Sequence, residues 1–309
     1  MTSPDGITWT ARSVAGDDDL WNGVTYGNGL FVAVGDPIDA PGTNALMTSP
    51  DGITWTARSA AGDDDAWGSV IYKKGRFVVV GGGLSNDHVM TSNSGVVHET
   101  SNFKNDGVTW TAVAAPAANS WRATTYGAGK FVSVSTDGTV ANGVMYSADD
   151  GATWHSASSS EASGWRALTY ANGLFVATAH SGTNRVMISS DGINWTSHSA
   201  PQANQWRSIT YGNGLFVSLA DSGTNRVMTS PDGITWTART AAEANGWSSI
   251  AFGNGLFVGV SYDGTDEVMT SPDGITWTSR TAAENNAWRN VTYGNGLFVA
   301  VADSGTNRV

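Results

Sequence analysis

The sequence is dominated by one repeated phrase. The residues MTSPDGITWTAR occupy positions 1–12 and return unchanged at 47–58 and 228–239, and a further copy at 269–280 differs only at Ser279. Repetition at a regular interval indicates a repeat architecture, in which each unit buries its apolar faces against its neighbours. This feature constrains the fold more than any other property of the chain.

The 14 tryptophans define the repeat unit, because they fall into two interleaved series. Members of the first series open a strand-like run and lie 41 to 54 residues apart: Trp21, Trp67, Trp121, Trp165, Trp206, Trp247 and Trp288. Members of the second series close the phrase D-G-x-T-W or a near variant: Trp9, Trp55, Trp110, Trp154, Trp195, Trp236 and Trp277. Such spacing is close to that of a four-stranded propeller blade, and seven pairs predict seven blades.

Residues 206–247 show the pattern within one unit. Short apolar runs bounded by turn residues predict four strands: Trp206–Tyr211, Leu215–Ala220, Val227–Ser230 and Ile234–Arg239. GNG at 212–214 is a tight hairpin signal, and SPDG at 230–233 supplies a proline, an acceptor side chain and a glycine for a second turn. Alternation in the last run places Ile234, Trp236 and Ala238 on one face. No segment has convincing helical periodicity, so the prediction is all-β.

The two ends of the chain complete each other. Residues 1–13 read as the third and fourth strands of a blade, and residues 288–309 read as the first and second. Pairing them closes the ring and protects strand edges that would otherwise recruit other chains. The predicted fold is therefore a single domain, residues 1–309, forming a closed seven-bladed β-propeller of four-stranded antiparallel blades. The blades open at about positions 21, 67, 121, 165, 206, 247 and 288.

The phrase S-x-D-G-x-T-W resembles the Asp-box, or BNR repeat, of sialidases, sortilin-type receptors and photosystem II assembly factors. SADDGATW at 147–154 matches the usual spacing, whereas the copies beginning at Ser3, Ser49, Ser230 and Ser271 are one residue shorter. SSDGINW at 189–195 has Asn194 in place of threonine, and NDGVTW at 105–110 lacks the serine. The resemblance covers every blade, and it implies that the motif is a structural turn between the third and fourth strands.

Composition excludes several classes of partner. The net charge is −11, the pI is near 4.7 and the sequence has four lysines. Such a surface repels nucleic acid and anionic lipid, which are recognised mainly through positive charge. The chain has no cysteine, and no apolar stretch approaches the roughly 20 residues of a membrane helix. We expect a soluble monomer without a cofactor, and the sequence does not assign a compartment.

Catalysis is not predicted. Resemblance to sialidases would imply three arginines converging on a carboxylate, a tyrosine–glutamate pair and an acidic proton donor. Arg185, Arg226 and Arg308 instead fall at equivalent positions of separate GTNRV phrases. Catalysis needs different groups at one reacting centre, whereas a rotational repeat places the same groups far apart around a circumference. A sialidase-like hydrolase is therefore the less favoured alternative.

The repeated loops between the second and third strands and between successive blades predict a binding face. Polar side chains beside an accessible tryptophan edge would suit a sugar ring, and several equal sites would gain by avidity. The candidate ligand-binding residues are Asn184, Arg185, Trp206, Asn225, Arg226, Glu243, Trp247, Trp288, Asn307 and Arg308. The other interpretation of GTNR is that its asparagine and glycine only shape a turn.

Other functions stay open at this point. The leading hypothesis is a non-catalytic binding or display module for glycans; the alternatives are a protein–protein scaffold and a recently amplified or engineered repeat without an evolved ligand. The aspartate clusters at 17–19 and 63–65 could hold calcium, although a solvated acidic loop is the favoured interpretation. The loop insertions at 35–45 and 91–104 are interpreted as tolerated insertions.

Overall fold

The structure is a computed structural model that describes residues 1–15, 20–36, 45–61, 66–83, 88–92 and 109–309. Its only helical element within these ranges is the 3-10 turn Val140–Asn142. The strands are, in chain order, β1 (Thr2–Ser3), β2 (Leu20–Gly27), β3 (Leu30–Asp36), β4 (Leu46–Ser49), β5 (Thr56–Arg58), β6 (Ala66–Lys73), β7 (Arg76–Gly82), β8 (Val89–Ser92), β9 (Trp110–Val113), β10 (Trp121–Gly127), β11 (Lys130–Ser135), β12 (Val144–Ser147), β13 (His155–Ala157), β14 (Trp165–Ala171), β15 (Leu174–Ala179), β16 (Arg185–Ser189), β17 (Thr196–Ser199), β18 (Trp206–Gly212), β19 (Leu215–Ala220), β20 (Val227–Ser230), β21 (Thr237–Arg239), β22 (Trp247–Gly253), β23 (Leu256–Ser261), β24 (Val268–Ser271), β25 (Thr278–Arg280), β26 (Trp288–Gly294) and β27 (Leu297–Ala302).

The described strands form seven antiparallel sheets, which confirms the predicted seven-bladed β-propeller. In each blade the strand that begins at or just before the opening tryptophan is the inner one, and the inner strands of successive blades contact one another around the axis. We number the blades 1 to 7 by their opening tryptophans, from Trp21 to Trp288. Consecutive strands are antiparallel neighbours within a blade, and the first and second strands are joined by a two-residue hairpin turn such as that of Asn213 and Gly214.

The ring closes through a strand that both ends of the chain build together. In blade 7, Met1 exchanges both backbone hydrogen bonds with Ala300, and Ala302 donates to the carbonyl oxygen of Arg308. Val309 and Arg12 exchange backbone hydrogen bonds, and Thr10 forms a bridge with Thr2. Residues 308–309 and β1 are therefore successive parts of one third strand. The sequence pattern predicts that the chain ends lie between two strands, whereas in the structure they meet within one.

The turn between the third and fourth strands explains why the fourth strand is shorter than predicted. In blade 5 the carboxylate of Asp232 accepts the backbone N–H groups of Ile234 and Thr235, at 2.9 Å each. These hydrogen bonds hold the pKa of Asp232 below its usual value. Because the turn consumes these N–H groups, β21 begins only at Thr237. Ile234 is 44% exposed whereas Trp236 is buried, so the predicted alternation that placed both on one face is wrong.

The apolar core is divided among the blade interfaces. Seven clusters of buried residues occur among the described positions, one at each junction of neighbouring blades. At the junction of blades 4 and 5, Trp206, Phe216 and Trp236 pack against Val176 and Val186. Aromatic burial of this size supplies much of the free energy of folding, since a tryptophan removes about 150–250 Å² from water.

Glycines allow the inner strands to approach closely. A Cβ on Gly212 would lie 2.3 Å from Cγ of Phe252 in the next blade, and a Cβ on Gly294 would lie 2.2 Å from Cγ of Tyr26. The second contact joins blade 7 to blade 1 with the same geometry as the first. The closing junction is therefore packed like an internal one.

Candidate functional site

The predicted arginines of the GTNR phrase serve their own loops. The Nε of Arg185, Arg226 and Arg308 donates to the carbonyl oxygen of the glycine three residues earlier, at 3.0–3.1 Å. Nη1 of Arg185 also donates to the Asn204 carbonyl oxygen, at 2.6 Å. These bonds cap a loop whose backbone would otherwise lack partners. The turn-shaping interpretation of this phrase is thus the one that the geometry supports.

The predicted asparagines are engaged in the same way. Nδ2 of Asn184 donates to Glu161 at 2.8 Å, and Nδ2 of Asn307 donates to Glu284 at 2.6 Å. The backbone N–H of Asn225 donates to the side chain of Gln202 at 3.2 Å, and the backbone oxygen of the exposed Glu243 accepts the indole N–H of Trp247 at 3.1 Å. The contacts of the three asparagines tie the loop between the second and third strands to the preceding interblade loop.

The expected accessible tryptophan edges are absent at the predicted positions. Trp206, Trp247 and Trp288 are each 0% exposed, because they fill the junctions between blades. A sugar stacks only on an exposed aromatic face, so this part of the prediction is wrong. The ten predicted residues lie at one end of the ring, which we call the loop face, but the structure does not gather them into one cavity.

Glu267 is an acidic residue at a loop-face position that is arginine in the GTNRV repeats. It lies in blade 6, and its side chain is 1% exposed. One carboxylate oxygen accepts the N–H of Asn286 at 3.2 Å, and the other has no hydrogen-bond partner among the described residues. Burial raises the pKa of Glu267 to about 7, although the bond from Asn286 acts in the opposite direction.

Replacing Glu267 by glutamine is therefore expected to stabilise the protein above neutral pH. The folded state keeps the proton up to about pH 7 whereas the unfolded state releases it near pH 4.5, so parent stability falls between these values as pH rises. Glu267→Gln should be about 3 kcal/mol more stable at about pH 8 and nearly equal to the parent at about pH 4. Urea unfolding at both pH values measures this difference. The exposed Glu243→Gln is the control, and an unchanged pH dependence in Glu267→Gln would contradict the assignment.

The channel along the axis holds the residues that sequence reasoning missed. In every inner strand the pairing register shifts directly after the opening tryptophan, as between Trp121 and Ala123. A bulge leaves one residue outside the ladder and redirects its side chain. The seven bulge residues all line one axial cavity of about 240 Å³: Asn22, Gly68, Arg122, Arg166, Arg207, Ser248 and Arg289.

Four of these seven residues are arginines, which we call the arginine arc: Arg122, Arg166, Arg207 and Arg289. Arg207 forms an ion pair with Asp221, and Arg289 forms one with Asp303. The guanidinium of Arg289 also lies 4.9 Å from the ring centre of Tyr262. Two of the four positive charges are thus neutralised by side chains at the ends of the second strands.

Arg122 and Arg166 lack such partners among the described residues. The Nε of Arg122 is buried without a hydrogen-bond acceptor. The side chain passes close to Gly68 of blade 2, where an added Cβ would lie 3.6 Å from Cδ of Arg122. Burial, followed by the charges of Arg207 and Arg122, lowers the pKa of Arg166 to about 9. Within the part of the chain that the structure describes, neither guanidinium forms an ion pair with a carboxylate.

Two other titratable groups, His180 and Asp36, interact electrostatically with arginines of the arc. Nδ1 of His180 lies 3.0 Å from the Gly164 carbonyl oxygen, and burial lowers the pKa of this imidazole. Burial raises the pKa of Asp36, although the charge of Arg122 opposes the shift. No group of three metal-ligating side chains occurs in the described ranges, and the aspartates at 17–19 and 63–65 lie outside them. Most residues of the insertions at 35–45 and 91–104 also lie outside the described ranges.

Comparisons with known proteins point to the same fold. A family model described as the DUF6242 beta propeller domain matches residues 155–288. The chain is similar to that family over these residues. No curated protein gives a significant match. None of the described residues forms a helix with the length and apolar character needed to cross a membrane.

Solved structures of two other propellers resemble the chain along most of its length. A catalytically inactive virginiamycin B lyase from Staphylococcus aureus, with quinupristin, has a TM-score of 0.76 at 11% identity over 95% of this chain and 96% of that one. YCF48 from Cyanidioschyzon merolae has a TM-score of 0.64 at 13% identity, over 93% and 94%. YCF48 bound to D1 peptide has a TM-score of 0.66 at 14% identity, over 96% and 98%. Identities this low show the fold alone.

Proposed function

We propose that the chain is a non-catalytic interaction module that binds a segment of another protein at the mouth of the axial channel on the loop face. One observation carries this proposal. The bulge residues are not the same in every blade, since four are arginine and three are not, whereas the tryptophans beside them repeat in all seven. Residues that repeat around the ring hold the ring together, and residues that break the symmetry create a single site on the axis.

The repeated loops favour a peptide over a glycan. Their asparagine and arginine side chains already bond within the protein, and their tryptophans are buried. A glycan site on this face would need polar groups and an aromatic face that remain free. YCF48 bound to D1 peptide is a precedent, in the same fold, for a propeller that holds a peptide.

The channel also favours binding over catalysis. The charged residues that line it are four arginines, of which Arg207 and Arg289 form ion pairs, and a guanidinium is a poor general acid or base at neutral pH. Arginine instead suits the recognition of anionic groups through a planar set of donors. The likeness to a lyase in fold supplies no reacting group at this site.

A phage-displayed library of random linear peptides tests the proposal. We expect the parent to enrich peptides that compete for one site. Asn22→Trp, which fills the channel from a bulge position, should lose their binding. Ile234→Trp is the matched control, because Ile234 is exposed on the opposite face, and it should bind them normally. Thermal melting verifies that both variants are folded.

Two results would overturn this function. The first is equal binding of the enriched peptides to Asn22→Trp and to the parent. The second is an absence of peptide enrichment together with saturable binding on a glycan array, which would return the assignment to saccharide recognition.

A further inference from the structure

We propose that Arg122 and Arg166 form a binding site for the dianion of a phosphate monoester. The inference rests on the proposed function and names the chemical group that the channel recognises. Both arginines stand at bulge positions of adjacent inner strands, β10 and β14, and both line the axial cavity. Two guanidiniums that converge on a cavity present several N–H donors in the planar geometry that suits phosphate oxygens.

The local charge matches this ligand. The whole chain carries −11, yet the arginine arc places four positive charges around one small cavity. Asp221 and Asp303 neutralise Arg207 and Arg289, which leaves the charges of Arg122 and Arg166. A phosphate monoester carries about −1.5 to −2 at neutral pH, whereas a single carboxylate carries half as much or little more. Asp36 lies close enough to interact electrostatically with Arg122, but neither guanidinium has an ion-pair partner among the described residues, and this excess of positive charge favours a dianion over a single carboxylate.

The other blades show that the fold does not require arginine here. The equivalent bulge residues are Asn22, Gly68 and Ser248, and their blades have the same register and the same buried tryptophan. An unpaired, desolvated guanidinium is costly unless an anion satisfies it. Arg122 and Arg166 thus carry a cost to the isolated protein that a bound anion would remove.

The size of the cavity limits what enters it. Sites for drug-sized ligands measure about 300–1,000 Å³, whereas this cavity measures about 240 Å³. It can accept a phosphate with a short linker, but not a whole cofactor. The remainder of the ligand would lie on the loop face.

Isothermal titration of the intact chain tests the inference with three probes: inorganic phosphate, a phosphoserine peptide and its unphosphorylated counterpart. We expect saturable binding of the phosphorylated probes, with roughly tenfold or greater weakening in Arg166→Met and in Arg122→Met. Arg239→Met is the control, because this arginine lies on β21 outside the channel, where its Nε donates to Thr229 Oγ1 at 3.2 Å. Tighter binding of the phosphopeptide would place the phosphate on a protein partner, and equal affinity for free phosphate would place it on a small molecule.

Thermal melting supplies a second readout. Because Arg166 is desolvated among like charges, Arg166→Met should melt at or above the temperature of the parent while losing phosphate binding. The inference is overturned if neither phosphorylated probe binds, or if Arg239→Met weakens binding as much as the channel variants do. If library peptides bind in the channel and phosphorylation does not alter their affinity, the proposed function stands and this inference fails.

Discussion

Deletion of residues 1–13 is expected to abolish the cooperative unfolding of the ring. The deletion removes Met1 and Trp9, which pack with Phe298 at the junction of blades 6 and 7, and it uncovers the edge of β27. Loss of a buried tryptophan alone costs about 3–5 kcal/mol. Because a whole domain is stable by only about 5–15 kcal/mol, the loss of two strands in addition should exceed what remains. Chromatography with light scattering should detect aggregates, and near-ultraviolet circular dichroism should lose its fixed aromatic signal.

A circular permutant is the matched control for this deletion. It joins Val309 directly to Met1 and opens the chain between the exposed residues Glu243 and Ala244. The new peptide bond lies within one third strand and replaces a buried amine, whose pKa burial lowers well below its usual value. We expect a folded protein at least as stable as the parent. A deletion variant that unfolds with the midpoint of the parent would show that this closure is not needed.

Replacing Trp206 by alanine is expected to lower the free energy of unfolding by about 3–5 kcal/mol. The indole is 0% exposed, packs against residues of blades 4 and 5 and donates to the Gln202 carbonyl oxygen at 3.3 Å. Urea unfolding monitored by circular dichroism measures the loss. If Trp206 were exposed for ligand binding, its replacement by alanine would change the free energy of unfolding by less than about 0.5 kcal/mol, as is usual for surface substitutions.

Trp206→Phe separates packing from the indole hydrogen bond. It retains most of the buried apolar volume, so it should recover more than half of the stability that alanine loses. A loss below about 1 kcal/mol for Trp206→Ala would show that the first tryptophan series does not hold the blades together.

The fold could be predicted because its determinants are local and repeated. The turn GNG at 212–214 specifies a hairpin, and Asn213 and Gly214 adopt φ angles of 47° and 80°, as a tight turn between twisted strands requires. Two tryptophans in each unit gave the number of blades. The fourth strand was misplaced because its side-chain alternation continues into a turn, where hydrogen bonds to Asp232 override it.

The candidate site could not be predicted in the same way, because it depends on what differs between repeats. The residue after each opening tryptophan is asparagine, glycine, arginine, arginine, arginine, serine or arginine in turn. The variation is visible in the sequence, but its meaning requires the bulge that directs this residue to the axis. GTNR was the more conspicuous pattern, and its repetition instead reflects loop geometry. The partners of Arg207 and Arg289 lie 14 residues away, directly after the second strands, so only the structure reveals which two arginines have no ion pair among the described residues.

Because of the bulge that follows each opening tryptophan, evolution can change the lining of the axial cavity separately from the pairing of the strands. The register of the ladder is the same whether the bulge residue is asparagine, glycine, serine or arginine, although Asn22 and Ser248 also donate to a backbone oxygen of the neighbouring blade. A new binding preference can therefore arise by point mutation at this position without a change in the pairing of the strands. Duplication of a blade would multiply the scaffold, and drift at one codon in each copy would then determine what the assembled ring recognises.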